Sequence, residues 1–193
     1  DIPVMVGSLL NETLFEIRSL VSFPIASVWY PVLSTSIVGP ILAPGLRDRY
    51  PLLPFDNDDL RGPMARLSTD WAFGCGTHDY TRAVPSSMIY SYQYTNAASC
   101  STWGDGCVGA ACHCDDLLLF YNTSTPECTI SSEEVSLGAE WRKKALGMLD
   151  GEAPWPSPVT GGADGVRITA NGGGRWTAMV FNRTRSACSY WEP

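Results

Sequence analysis

The residues best equipped for chemistry stand side by side: Cys112, His113 and Cys114, followed by Asp115 and Asp116. Imidazole is the side chain most able to take and return a proton near neutral pH, and neighbouring thiolates or carboxylates can orient it or share a metal with it. Three chemistries are therefore open. In the first, Cys112, His113 and Cys114 bind zinc, with Cys107 or His78 as a fourth ligand. Structural zinc sites space their cysteines two to four residues apart so that both thiolates converge. In C-H-C, neighbouring side chains point apart, and no second C-x-x-C follows. In the second, the cysteines form disulfides, which the spacing favours over zinc. In the third, His113 is a general base and needs a carboxylate partner and a nucleophile. No serine of the chain has glycine at both i−2 and i+2, so the sharp G-x-S-x-G turn that presents a nucleophilic serine is missing from this chain.

Composition narrows the setting. The 193 residues suffice for one globular domain, and 45% hydrophobic with 17% charged residues argues against disorder. Thirteen basic against 20 acidic residues give a net charge of −7, with no basic cluster to bind nucleic acid. Seven cysteines and three N-x-S/T sequons, at Asn11, Asn122 and Asn182, point to an oxidising, secretory environment. Seven is odd, so at least one thiol is free, metal-bound or paired with another chain. The chain starts at Asp1 without a charged-then-apolar leader, so any secretion signal is expected to have been removed or to lie on sequence not present. Ser19 to Leu46 carries no charge, but Pro24, Pro31, Pro40 and Pro44 argue against a membrane-spanning helix and predict short, buried segments.

The elements that must hold these residues can be read from periodicity. "DIPVMVGS" predicts a strand ending at Gly7, where the chain could turn, and "LLNETLFEIRSLV" a loop entering a helix. Between Asp59 and Val84 the spacing of Met64, Leu67, Trp71 and Cys75 predicts a helix with those residues inward. "SSMIYSYQYT" predicts a strand. Ser131 with Glu134 three residues later is a capping-box signature for a helix from Ser132 to about Leu149. "GVRITANGGGRWTAMVF" predicts a hairpin. The alternation of strands and helices is that of an α/β domain.

At this point the motifs, in order, resemble the C-terminal half of type-B carboxylesterases and cholinesterases, which are α/β hydrolases. The quoted segments are "IPVMVGSLLNETLF", "STDWAFGCGTHDYTRAV", "GAACHCDDLLLFYN", "AEWRKKALGMLDGEAPWP" and "ACSYWEP". In that chain order serine comes first, then the carboxylate, then histidine. The resemblance implies that residues 1–193 are the C-terminal part of one hydrolase domain, a mostly parallel sheet flanked by helices with a C-terminal hairpin. It implies Glu12 as the carboxylate and His113 as the base of a Ser-His-Glu triad hydrolysing small carboxylic esters. The serine and oxyanion hole would lie on an N-terminal half, carried as a separate chain or as missing sequence, with the odd cysteine available for a disulfide to it. It further implies a bridge between Cys75 and Cys188, while Cys100, Cys107, Cys112, Cys114 and Cys128 remain unassigned. No cofactor and no metal are implied. Cys114 stands where the family usually has glycine. Asn122 and Asn182 suit glycosylation, whereas Asn11 adjoins Glu12 and does not. Asp115 and Asp116 match a polar pair and are expected as solvated loop or helix-start charges, with support of the site from behind as the alternative. Asp70 is expected to stabilise its helix and His78 to be structural. A non-catalytic, cholinesterase-like adhesion domain is the alternative; keeping both Glu12 and His113 argues for the enzyme.

Overall fold

The computed structural model describes residues 2–84, 88–95, 99–101, 103–104, 107–155, 166–168 and 188. Three parallel strands form one sheet in the order β1 (Val4–Leu9), β2 (Ile89–Tyr94), β3 (Val166–Ile168). The helices are α1 (Leu14–Leu20), α2 (Tyr30–Arg49), α3 (Arg61–Thr69), α4 (Cys75–Ala83), α5 (Asp115–Tyr121) and α6 (Ser132–Gly147). Parallel neighbours require long crossovers, and the segment from β1 to β2 supplies one containing four helices.

Gly7 does not end β1; the strand continues to Leu9. Glycine is needed there for closeness rather than for turning. Gly7 pairs with Tyr92, and a Cβ on it would lie 2.5 Å from the Tyr92 ring. The uncharged stretch is also corrected. Most of it is one long helix, α2, broken at Gly39, which takes φ 79° just before Pro40. Val28, Trp29, Val32, Ile37 and Leu42 are half or more exposed and Ile41 is 89% exposed, so these apolar residues are not buried.

From α3 to α4 the helix is continuous, but a π-helical turn at Asp70–Gly74 inserts one extra residue into the winding. On α3 the inward residues are Pro63, Ala65 and Thr69, with the expected Met64 and Leu67 only half-buried. Trp71, inside the turn, is exposed, and Cys75 beyond it is buried as expected.

The capping box at α6 is present. The Glu134 amide donates to Ser131 Oγ at 3.2 Å, and the Ser131 amide donates to Glu134 Oε2 at 2.7 Å. α6 packs on α5 so closely that a Cβ on Gly138 would lie 2.1 Å from the Leu119 carbonyl oxygen. Arg142 donates to the Leu119 and Phe120 carbonyls at the end of α5, where Leu119 also accepts from the Asn122 amide. The fully buried Trp141 ring stacks on Tyr94 at 6.0 Å, so α6 and β2 share one core with Leu119, Leu137 and Ile168. The hairpin expected over residues 165–181 is described only at β3; the remainder lies outside the described residues.

Candidate active site

Glu12 and His113 stand 101 residues apart in sequence, and parallel pairing brings them together. Beyond Leu9 the Leu10 amide donates to the Tyr94 carbonyl at 3.0 Å. The Asn11 amide then donates to the Ala111 carbonyl at 3.0 Å, and Asn11 forms a parallel bridge with Cys112. One residue further along each chain are Glu12, on the turn after β1, and His113, on the loop between β2 and α5, both beyond the carboxyl end of the sheet. Open α/β sheets place their ligand sites at such ends.

His113 Nδ1 lies 2.8 Å from Glu12 Oε2, and the Leu9 amide donates to Glu12 Oε1 at 2.6 Å. Both carboxylate oxygens are therefore engaged. Glu12 is 4% exposed, while the His113 side chain is 39% exposed. The acid sits inside and the base at the surface. The turn is held from below by Thr13, whose amide donates to Thr69 Oγ1 and whose hydroxyl donates to the Ala65 carbonyl on α3. The Phe73 ring of the π-helical turn lies 5.8 Å from the imidazole.

The carboxyls beneath the imidazole are buried. Burial raises the Glu12 carboxyl above its usual range, against the Leu9 amide and His113, which favour its anion. Asp115 and Asp116, expected as solvated charges, are buried at 1% and 6% exposure. The correction has a physical reason: each carboxyl has donors waiting inside. Ser101 Oγ and the Cys112 amide donate to Asp115 at 2.8 and 2.9 Å, and the Tyr92 hydroxyl donates to Asp116 at 3.2 Å. Burial nonetheless pushes the Asp115 carboxyl up to about 6, with Asp116 and Glu134 adding to it. Burial raises Asp116 as well, opposed by its hydrogen bonds and by His113. The Cys114 thiol is pushed up by burial and by the nearby carboxylates, which makes it a poor nucleophile at neutral pH.

Cys107 and Cys112 are bonded to each other, which removes both from any zinc set, and Cys100 is bonded to Cys128. Among the described residues no group of three or more His, Cys, Asp or Glu could hold a metal ion. Cys75 pairs with Cys188, and Cys114 is the free thiol. Cys114 takes φ 64°, the left-handed conformation that glycine adopts most easily. His78 sits on α4 with its Nδ1 3.5 Å from Asp79, and Asp70 accepts from the Tyr50 hydroxyl at 3.2 Å. Asn122 is exposed at the end of α5, Asn11 is half-buried, and Asn182 lies outside the described residues. Sequence reasoning missed Ser101, Trp103 and Tyr92. They come from a loop and a strand face, and nothing in their spacing marks them.

No protein-family model matches the sequence. The chain is 32% identical over 126 residues to the cAMP-regulated D2 protein of Dictyostelium discoideum, covering 64% of the chain and 23% of that protein. It is 25% identical over 137 residues to the Crystal protein of the same organism, covering 69% of the chain and 25% of the relative. The chain thus spans about a quarter of the length of the curated relatives it matches. Three disulfides are compatible with an oxidising compartment, and no described helix is long and apolar enough to cross a membrane.

Proposed function

We propose that this chain supplies the acid and base of a serine carboxylesterase-like hydrolase, a member of the α/β-hydrolase class, with its nucleophile on sequence outside residues 1–193. The observation that carries the reading is the 2.8 Å contact of His113 Nδ1 with a buried Glu12 whose two oxygens are both hydrogen-bonded, beyond the carboxyl end of β1. With Nδ1–H donating to Glu12, Nε2 is left as the proton acceptor. It would take the proton of an attacking serine hydroxyl and return it to the leaving alcohol. Glu12 would hold the tautomer and stabilise the imidazolium formed at the peak of the reaction. Without that anion, the imidazolium would lose the charged partner that lies 2.8 Å from it.

The missing parts have a place to go. On β1, the edge away from β2 carries no partner strand among the described residues, so a further parallel strand could add there. The much greater length of the relatives supports the presence of such a segment. Secretion and glycosylation at Asn122 and Asn182 belong to the same reading, supported by the disulfides and by the exposure of Asn122.

A serine-directed fluorophosphonate tests the reading on the full-length protein. Covalent labelling that His113→Ala abolishes is the expected result. Labelling that survives His113→Ala would remove His113 as the base. No labelling, together with glycine or asparagine in place of the nucleophile, would favour the non-catalytic, adhesion-type alternative; neither relative's name states an enzymatic activity.

A further inference from the structure

The loop that delivers His113 is tied down more heavily than a loop needs to be merely to stay folded. Cys112, immediately before the histidine, is fully buried and bonded to Cys107. The Trp103 indole N–H donates to the backbone carbonyl of His113 itself, and its ring packs on Phe15 of α1 at 4.5 Å. Between these two tethers lies the Asp115 carboxyl, 1% exposed, which joins two distant parts of the loop. Oδ1 accepts from Ser101 Oγ at 2.8 Å, and Oδ2 accepts from the Cys112 amide at 2.9 Å. Ser101 Oγ in turn accepts from the Trp103 amide at 3.3 Å, so the same carboxyl also steadies the tryptophan that holds the His113 carbonyl. Cys100, just before Ser101, is anchored to Cys128.

We propose that Asp115 is a positioning residue for His113: its two oxygens cross-brace the Ser101 and Cys112 arms of the loop and fix the imidazole on Glu12. Asp115 makes no contact with the imidazole and acts only through the backbone that carries it. A buried carboxylate is an expensive way to fill space. What an apolar residue cannot do is accept one donor from each arm. Asparagine can hold both arms, accepting from the Cys112 amide through its oxygen and donating to Ser101 Oγ through its nitrogen. The brace is therefore a matter of hydrogen-bond geometry rather than of charge.

The proposal deepens the hydrolase reading and rests on it for its kinetic consequence alone. The experiment uses the full-length protein and two readouts. One is the downfield, slowly exchanging imidazole N–H proton of the His113–Glu12 pair by NMR, assigned by its loss in Glu12→Gln. The other is turnover of a chromogenic ester per fluorophosphonate-titrated site. Asp115→Ala is expected to broaden or abolish the proton signal and to lower kcat by about 10- to 100-fold with KM within about twofold. Asp115→Asn is expected to keep the signal and kcat within about threefold. An Asp115→Ala protein with an intact signal and normal kcat per site would overturn the proposal, as would an Asp115→Asn protein as damaged as Asp115→Ala. If Asp115→Ala does not fold, Ser101→Ala removes one arm of the brace. Faster exchange of the imidazole proton then supports the proposal, and an unchanged rate overturns it. Should wild type hydrolyse no ester, the proton signal still decides the positioning role, while the hydrolase reading fails separately.

Discussion

At the scale of single residues, the site is an exposed base on a buried acid, and two substitutions separate charge from shape. Glu12→Gln keeps a side chain of the same size and can still hydrogen-bond, but it offers no anion and no fixed tautomer. In the hydrolase reading, fluorophosphonate labelling should slow by about 10³- to 10⁴-fold, measured as a pseudo-first-order rate. Asp115→Asn tests the energetics of the neighbouring buried carboxyl. Its folded pKa is raised, to about 6 from an ordinary value of 3.8, so the folded state holds the proton longer than the unfolded one. Stability therefore falls as pH rises through that window, and the cost is fully present above it. Asp115→Asn should stabilise the protein above pH 6 by on the order of 2 kcal/mol and by nothing below about pH 4, as read from urea melts across that range. Glu12 and His113 were legible in the sequence because their types, their order and the strand before each carry meaning. Asp115 was not. Its partner Ser101 lies 14 residues away across an aperiodic loop, and a carboxylate at a helix start looks the same whether it faces water or a donor.

At the scale of elements, close approach decides more than propensity. Gly7→Ala would put a methyl group 2.5 Å from the Tyr92 ring, so the ring must leave its place and with it the hydrogen bond to Asp116. A loss of about 1–3 kcal/mol is expected by thermal or urea unfolding. Ser131→Ala removes the acceptor at the start of α6 and should cost about 1 kcal/mol in the same measurement. The capping box was readable in advance because it is local: two residue types three positions apart specify it. β1, β2 and α6 were readable for the same reason, from short-range pattern. The exposure of Trp71 was not, because the π-helical turn that carries it departs from the 3.6-residue winding, whereas Cys75 beyond the turn is buried as expected. Nor was the exposure of α2 readable, since an uncharged sequence does not say whether anything covers it.

At the scale of the whole molecule, three disulfides divide the work unequally. Cys107–Cys112 closes a loop across only 5 residues and mainly stiffens the approach to His113. Cys75–Cys188 spans 113 residues and, in the chain-entropy account, is worth about 5 kcal/mol against unfolding, against about 2 kcal/mol for the short one. Cys188→Ser should lower the unfolding midpoint far more than Cys107→Ser, compared in one buffer at one protein concentration. The distribution of these bridges has a further effect. Every cysteine of the chain lies at or after position 75, so the base-bearing part is sewn together while the first 74 residues carry no stitch at all. A single protease cut in the broken, exposed helix around Gly39 would leave two pieces joined only by strand pairing and packing. Such a nicked molecule would stay whole under native conditions. In denaturant without reductant it would let go of the fragment that carries Glu12 and keep the one that carries His113.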